Sequence, residues 1–139
     1  MSAHWSTSYV GTPYLEFGRT LAGCDCWGLA CVVYAAELGI TLPSYDGLYA
    51  STEEHAEIAA LLADGKSSWS LTSQPRSFDL VGFRRGKWET HVGIIVAPGL
   101  MLHVAADDQA KIESYTAGRW GNRSTGIYRH FEMASRGAR

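Results

Sequence analysis

The sequence has few cysteines, no long unbroken apolar stretch and no excess of charge of one sign. Its 139 residues include three cysteines, an odd number that cannot form a complete set of disulfide pairs. Basic and acidic residues number 12 and 14, a balance that argues against nucleic acid as a main partner. The most apolar stretch, VGIIVAPGLMLHVAA, is interrupted by Pro98 and Gly99 and is too short to span a bilayer. We therefore expect free thiols, a reducing compartment of synthesis and no membrane span.

The first residues of the sequence bear on where the protein is made, and the last ones on how its positive charge is distributed. The first residues, MSAHWSTSYV, lack the basic start and the apolar run of a secretory signal. We expect synthesis in the cytoplasm, and delivery by some carrier if the protein acts outside the cell. Basic residues become more frequent toward the other end, and we expect them to be mostly solvated surface charges. They are Arg119, Arg123, Arg129, Arg136 and Arg139.

Helical patterns precede strand patterns along the chain. Residues 26–38 place apolar side chains at helical spacing, with Asp25 as the N-cap and Gly39 as the stop. A second helix is predicted from Ser51 to Gly65. Short segments rich in β-forming residues follow at 78–84, 91–97, 100–105, 111–115 and 126–131. This order predicts one α+β domain over residues 1–139, with a helix packed on an antiparallel sheet of about five strands. Residues 1–13 would form an N-terminal arm, and residues 132–139 a loosely held tail.

The cysteines allow three interpretations, namely a metal site, a redox pair or a single reactive thiol. Cys24 and Cys26 are separated by one residue, and no second cysteine pair is present to complete a structural zinc site. A Cys-x-x-Cys redox motif is also absent. Cys26 begins the predicted helix, whose N-terminal partial positive charge is expected to lower the pKa of the thiol. We therefore predict that Cys26 is the nucleophile and the fastest cysteine to alkylate, with no metal and no cofactor. A plain buried cysteine fits the same position.

A nucleophilic thiol needs a base and a group that orients the base. His91 begins one predicted strand and His103 lies within the next. A three-residue loop, 97–99, would place both imidazoles on one face of the sheet, with Gly93 opposite His103. A two-residue loop without a bulge would place them on opposite faces. The other histidines are expected to be structural or solvated; they are His4, His55 and His130.

The blocks GCDCWGL, HVGIIV and LHVA, in this order and spacing, resemble the NlpC/P60 family of cysteine peptidases. The similarity runs from Tyr14 to Tyr128. The segment DCWGLACVVYAAELGITLPSY is more particularly similar to the branch found in phage tails and gene transfer agents. The resemblance implies a papain-like fold, with Cys26 as nucleophile, His91 as base and His103 as its orienting group. It also implies hydrolysis of amide bonds in peptidoglycan stem peptides.

The resemblance further suggests substrate roles for two residues. Tyr14 matches a tyrosine that lines the site and assists the oxyanion, although a plain packing role fits as well. Asp25 belongs to an Asp-Cys-Ser trio that holds a free substrate amine in many members. Trp27 replaces the serine of that trio, which puts recognition of a free N-terminal L-alanine in doubt.

Another departure from the family pattern precedes the first predicted strand. Phe78 stands where a glycine is usual, immediately before Asp79. We expect Asp79 to have a structural role, fixing a turn.

Three functions fit these residues. The first is a peptidoglycan endopeptidase carried by a phage-like tail, which opens the cell wall for DNA delivery and acts in the periplasm or at the wall. The second is a structural tail or baseplate component with a vestigial site. In that case exposed tryptophans would be interface anchors; the candidates are Trp5, Trp69, Trp88 and Trp120. The third is an amide or acyl transferase that uses the same three residues.

Overall fold

In a computed structural model, the described residues are 4–43, 69–85, 88–105 and 108–136. Helix α1 spans Cys26–Val33 and widens into a π-helical turn over Tyr34–Leu38. Helix α2 spans Phe131–Arg136, and short 3-10 helices cover Trp5–Tyr9 and Gly118–Trp120. The strands are β1 (Arg19–Thr20), β2 (Gly23–Cys24), β3 (Trp69–Leu71), β4 (Leu80–Arg85), β5 (Trp88–Ala97), β6 (Leu100–His103), β7 (Lys111–Ser114) and β8 (Ser124–His130). The predicted helix from Ser51 to Gly65 lies outside the described residues.

The strands form one large antiparallel sheet and one small hairpin. Within the described residues, the large sheet has six strands in the order β3-β8-β4-β5-β6-β7, and β1 pairs with β2. The predicted strands all appear, as β4 to β8, so the α+β class and the antiparallel sheet are confirmed. Strands β1, β2 and β3 were not predicted because each is only two or three residues long, which leaves no alternation to detect.

Helix α1 begins and ends where the sequence places its caps. Asp25 has an extended backbone, and its carboxylate accepts a 2.7 Å hydrogen bond from the N–H of Gly28. Gly39 has a φ of 66°, the left-handed conformation that stops a helix with least strain in glycine. The helix over 26–38 is therefore confirmed, with its last turn widened.

Alternating side chains build a core on each face of the sheet. Leu80, Ile94 and Leu102 are buried on the face that carries α1. Their neighbours Val81, Ile95 and Met101 are buried in a second cluster on the opposite face. Tyr115 and Trp120 belong to this second cluster, so the segment after β7 covers the face that α1 leaves open. Because both faces of the sheet are buried, its central strands are mostly apolar.

The hairpin between β5 and β6 has the predicted register and a different turn. Ile94 lies opposite Leu102, the alignment that the three-residue loop required. The closing pair is instead Ala97 and Leu100, and the register shifts between Ile95 and Ala97. The loop is thus the two residues Pro98 and Gly99, and a bulge restores the face that a two-residue loop would have reversed. Gly99 has a φ of 92°, as the third position of a type II turn requires.

The two terminal segments contact the rest of the domain. Gly11 donates a backbone hydrogen bond to Ala110, and Tyr14 donates one to Asp108. The arm therefore docks beside the segment that connects β6 to β7. At the other end, residues 132–136 belong to α2 and Met133 is 5% exposed. The buried Met133 side chain packs this part of the predicted tail against the core, and how tightly the tail is held stays a prediction.

Asp79 and Arg129 form a buried ion pair under the turn before β4. Arg129 donates to both carboxylate oxygens of Asp79, at 3.0 and 2.7 Å, and it also donates to the carbonyl of Gln74. The backbone N–H of Arg76 donates to the same carboxylate across the turn, so the predicted structural role of Asp79 is confirmed. The expectation that Arg129 is a solvated charge is wrong, since this arginine is 9% exposed and fully engaged.

Candidate active site

Cys26 lies at the first residue of α1 and is 4% exposed. The backbone N–H groups of Val92 and Trp27 donate to its sulfur, so the thiol lies against β5 one residue beyond His91. Burial is the main effect on this group and raises the pKa of Cys26 to about 12, with a further rise from the charge of Asp25. The two N–H donors and Arg19 lower the pKa but do not outweigh burial. The expected lowering of the pKa is therefore wrong, and the resting group is a neutral thiol.

The pKa does not separate Cys26 from its neighbour. Burial also raises the pKa of Cys24 to about 12. Thiolate content alone therefore gives no reason for Cys26 to alkylate before Cys24. What distinguishes Cys26 is its place at the helix start beside β5. Its role as nucleophile stays a prediction that rests on this position.

His91 and His103 meet on one face of the sheet, as the hairpin register predicts. The Nε2 atom of His91 lies 2.9 Å from the Nδ1 atom of His103, and the rings are nearly perpendicular, at 82°. His91 comes from β5 and His103 from β6. An imidazole that could accept a proton is therefore directly hydrogen-bonded to a second imidazole that holds its orientation.

Glu113 extends this pair and was not predicted. Its Oε1 atom lies 2.7 Å from the Nε2 atom of His103, across the β6–β7 pairing. Burial lowers the pKa of His103, although Glu113 opposes this effect. Burial alone would raise the pKa of Glu113, but its contacts with His103, Trp120 and Lys111 hold it below the ordinary value. Both shifts in pKa favour a neutral His103 beside an ionised Glu113 near neutral pH.

Trp120 closes the site on the side opposite the helix. Its ring stacks on His91 with centroids 4.6 Å apart and planes 18° apart, and its indole N–H donates to the Oε1 atom of Glu113 at 3.3 Å. Trp120 is 6% exposed, so its prediction as an interface anchor is wrong. Trp69 is also buried, and Trp5 in the arm stacks on Phe78, which precedes β4. The side chain of Trp88 lies outside the described residues.

Asp25 supports the start of α1 with both carboxylate oxygens. One oxygen accepts from Gly28 and from the Nη1 atom of Arg19, and the other accepts from the N–H of Phe17. The Asp25 side chain is fully buried. This arrangement gives it a structural role, and its contact with a substrate amine stays a prediction. Trp27 is also fully buried and donates its indole N–H to the carbonyl of Pro43, so it offers no group in place of the serine hydroxyl.

Tyr14 lies beside the start of α1, as the resemblance implies. Its backbone forms a bridge with Cys24, and its N–H donates to the carbonyl of Asp108. The residue is partly buried. Its backbone therefore connects the arm, the segment before Cys26 and the segment after β6. The predicted role of its hydroxyl at an oxyanion stays open to test.

Among the residues that the structure describes, no three histidine, cysteine, aspartate or glutamate side chains are grouped in a way that could hold a metal ion. Over the same part of the chain, no helix is both long and apolar enough to cross a membrane.

The NlpC/P60 family profile matches residues 11–129, which is most of the chain. The chain belongs to the NlpC/P60 family. This match covers the Cys26, His91 and His103 positions together with Glu113 and Trp120. The family placement therefore stands on both the sequence blocks and the fold that carries them.

Curated relatives of the NlpC/P60 chain include proteins of two names, both of which contain the word endopeptidase. A protein called probable endopeptidase p60 from Listeria seeligeri is 32% identical over 122 residues, which cover 87% of this chain and 20% of that protein. A protein called murein DD-endopeptidase MepS/murein LD-carboxypeptidase from Escherichia coli K12 is 30% identical over 115 residues, covering 83% of this chain and 54% of that protein. The chain thus spans about half or less of the curated relatives it matches.

Solved structures of NlpC/P60 proteins share this fold. The NlpC/p60 domain of the peptidoglycan hydrolase SagA is 20% identical with a TM-score of 0.60, over 88% of this chain and 90% of that domain. An NlpC/P60 family protein from Bacillus cereus is 20% identical with a TM-score of 0.65, over 90% of this chain and 37% of that protein. At this identity the likeness concerns the fold alone.

Proposed function

We propose that the protein is a cysteine peptidase that hydrolyses amide bonds in peptidoglycan stem peptides. The observation that carries the proposal is the direct hydrogen bond between His91 and His103 on the two strands beside the Cys26 helix start. The names of the relatives, endopeptidase p60 and murein DD-endopeptidase, support the substrate class.

In the proposed reaction, the proton of the Cys26 thiol passes to His91 while the sulfur attacks the carbonyl carbon of the scissile amide. The tetrahedral intermediate carries its negative charge on the former carbonyl oxygen, for which the backbone N–H of Cys26 and the hydroxyl of Tyr14 are the candidate donors. His91 then returns the proton to the leaving amine, and the C–N bond breaks to leave a thioester. Water, deprotonated by His91, releases the acid and restores the thiol.

The raised pKa of Cys26 has a consequence for this sequence of steps. A neutral thiol in the resting site does not react readily with stray electrophiles. The thiolate would form only as the proton moves to His91 with a substrate in place. Coupled proton transfer by a general base typically contributes a rate factor of about 100 to 10,000.

The test is digestion of purified muropeptides by the full chain and by Cys26→Ala, with product analysis by mass spectrometry. Cys31→Ala is the matched control, since Cys31 lies within α1 and is partly exposed. We expect cleavage by the wild type and by the control, and none by Cys26→Ala. Failure of the wild type to cleave any stem peptide would remove the proposal. Incorporation of an added amine acceptor in place of water would instead identify a transferase.

We further propose that the enzyme is carried by a phage-like tail and acts at the cell wall during DNA delivery. The similarity of DCWGLACVVYAAELGITLPSY to the phage-tail and gene-transfer-agent branch supports this context. Particles assembled with Cys26→Ala should be intact and deficient in delivery. Normal delivery by such particles would favour a purely structural tail role.

A further inference from the structure

We propose that Glu113 is a positioning residue of the thiol site, fixing the proton of His103 on Nε2 and thereby making Nδ1 of His91 the atom that accepts the Cys26 proton. This inference rests on the proposed cysteine peptidase reaction. We call His91, His103 and Glu113 together the histidine relay. Glu113 acts through His103, which it contacts directly, whereas the proposed reacting atoms belong to Cys26 and His91.

The proton positions follow from which atoms can donate. An ionised carboxylate accepts hydrogen bonds and cannot donate them, so the proton between Glu113 and His103 lies on the Nε2 atom of His103. A neutral His103 then has only a lone pair at Nδ1, which faces the Nε2 atom of His91 at 2.9 Å. His91 must therefore donate from Nε2, and its remaining lone pair lies on Nδ1. One carboxylate thus determines the tautomers of two histidines.

Trp120 contacts both the Glu113 carboxylate and the His91 imidazole. Its N–H and the Nε2–H of His103 both approach the same atom, Oε1 of Glu113. Its ring also lies flat against His91 at 4.6 Å. Because two donors converge on Oε1, an amide at this position would present its oxygen there and not its NH2 group. Glu113→Gln should therefore keep both tautomers and remove only the charge.

Charges around the relay decide the direction of a pH effect. Lys111 on β7 and Arg119 in the 3-10 helix both disfavour a proton on His103, and Lys111 is itself paired with Asp108 at 2.7 Å. Helix α1 contributes the neutral Cys26 thiol to the site, and β5 contributes His91. Glu113 is thus a negative group in direct contact with His103. Its removal makes the pair easier to deprotonate, so the acidic limb of kcat/KM should move to lower pH.

The first measurement is the tautomer, which needs no substrate. In the full chain labelled with 15N-histidine, we expect neutral His91 and His103 to carry their protons on Nε2. Glu113→Gln should leave this pattern intact, whereas Glu113→Leu should give His103 a mixture of tautomers. A wild-type His103 protonated on Nδ1, or an unchanged single tautomer in Glu113→Leu, would overturn the proposal.

The second measurement is turnover on muropeptides. We expect Glu113→Gln to lower kcat about tenfold with KM unchanged and to shift the acidic limb by about one pH unit, as loss of a neighbouring charge typically does. Glu113→Leu should lose about 100-fold or more, comparable with the loss of an orienting partner in other sites. Glu132→Gln, which removes the same charge from α2, is the control and should behave as wild type. An unshifted pH limb in Glu113→Gln would contradict the assignment.

These experiments separate two kinds of failure. An inactive wild type with the expected tautomers would remove the peptidase reaction and leave the positioning role of Glu113 standing. If the wild type is active and the Glu113→Gln and Glu113→Leu variants keep its pH profile and its tautomers, the peptidase reaction stands and the positioning role of Glu113 is removed. The nearly isosteric glutamine variant keeps the test usable if Glu113→Leu fails to fold.

Discussion

The two halves of the site are built from different interactions. At the start of α1, a buried aspartate satisfies three donors at once, and the thiol beside it is neutral and almost inaccessible. In the histidine relay, three side chains are connected in a line that ends at a carboxylate whose side chain is 33% exposed. The first half fixes backbone positions, and the second is arranged for a proton to move. We therefore expect changes in the first half to alter stability and thiol reactivity, and changes in the second to alter turnover.

The largest expected effect concerns alkylation of Cys26. With a pKa of about 12, the thiolate fraction should rise about tenfold per pH unit from about pH 7 to about pH 10, and the rate with iodoacetamide should rise in parallel. Site-resolved mass spectrometry at each pH measures this rate. Unfolded protein is the control, because its thiols titrate near their ordinary value of about 8.5. A plateau of the Cys26 rate near neutral pH would show that the folded site stabilises the thiolate after all.

Asp25→Ala should cost the most stability. The substitution leaves the N–H groups of Gly28 and Phe17 without this acceptor and removes the carboxylate that pairs with Arg19, whose side chain is 18% exposed. Loss of the N-cap, of a buried acceptor and of this partly exposed ion pair should together lower the free energy of unfolding by about 3 kcal/mol, measured in urea.

Asp25→Asn is the informative companion variant. Asparagine keeps an acceptor for the helix cap, so this variant should lose less stability than Asp25→Ala. Because the charge of Asp25 raises the pKa of Cys26, Asp25→Asn should also alkylate faster at about pH 8. A loss below about 1 kcal/mol in Asp25→Ala would mean that the helix start does not depend on this carboxylate.

Gly28→Ala tests the close approach on which the same helix start depends. A β-carbon at Gly28 would collide with the backbone oxygen of Gly18, which cannot rotate away as a side chain would. We expect a loss of about 2 kcal/mol in the free energy of unfolding, a typical cost of overpacking. Gly126→Ala is the matched control, since the atoms nearest to its β-carbon would belong to the side chains of Leu71 and Tyr128, at 3.0 Å or more. Equal losses in both variants would remove the special role of Gly28.

The sequence predicted the elements of this site better than their connections. The pairing of β5 with β6, and the shared face of His91 and His103, could be predicted from the alternation of side chains along the strands. The turn could not, because a two-residue loop with a bulge gives the same strand register as a three-residue loop. Glu113 escaped prediction for a related reason. Its side chain is a diagonal neighbour of His103 because the actual β6–β7 register places His103 opposite Lys111. The irregular segment between those strands leaves that register undetermined by sequence.

At Phe78 the sequence departs from the family pattern, and the structure explains the departure. The residue has a φ of 77°, in the left-handed region where glycine is least strained, which accounts for the glycine usual at this position. Its ring stacks on Trp5 with centroids 4.4 Å apart, and its carbonyl accepts the hydroxyl of Tyr34. The unfavourable backbone is thus offset by aromatic packing that ties the N-terminal arm to the turn, a contact between distant residues that no local pattern encodes.

The smallest expected effect is that of Trp120→Phe, and it separates the two halves most cleanly. Phenylalanine keeps an aromatic ring against His91 but loses the N–H that reaches Glu113 and part of the indole's volume. If that hydrogen bond is about 1 kcal/mol stronger in the transition state, kcat should fall about fivefold. The free energy of unfolding should fall by about 1 to 2 kcal/mol, because the smaller ring leaves unfilled volume in the second core cluster, while the lost hydrogen bond has a partly exposed acceptor. Turnover on muropeptides and urea unfolding measure the two quantities. A large loss of stability without loss of kcat would show that Trp120 acts through packing alone. The residues that affect turnover would then end at Glu113.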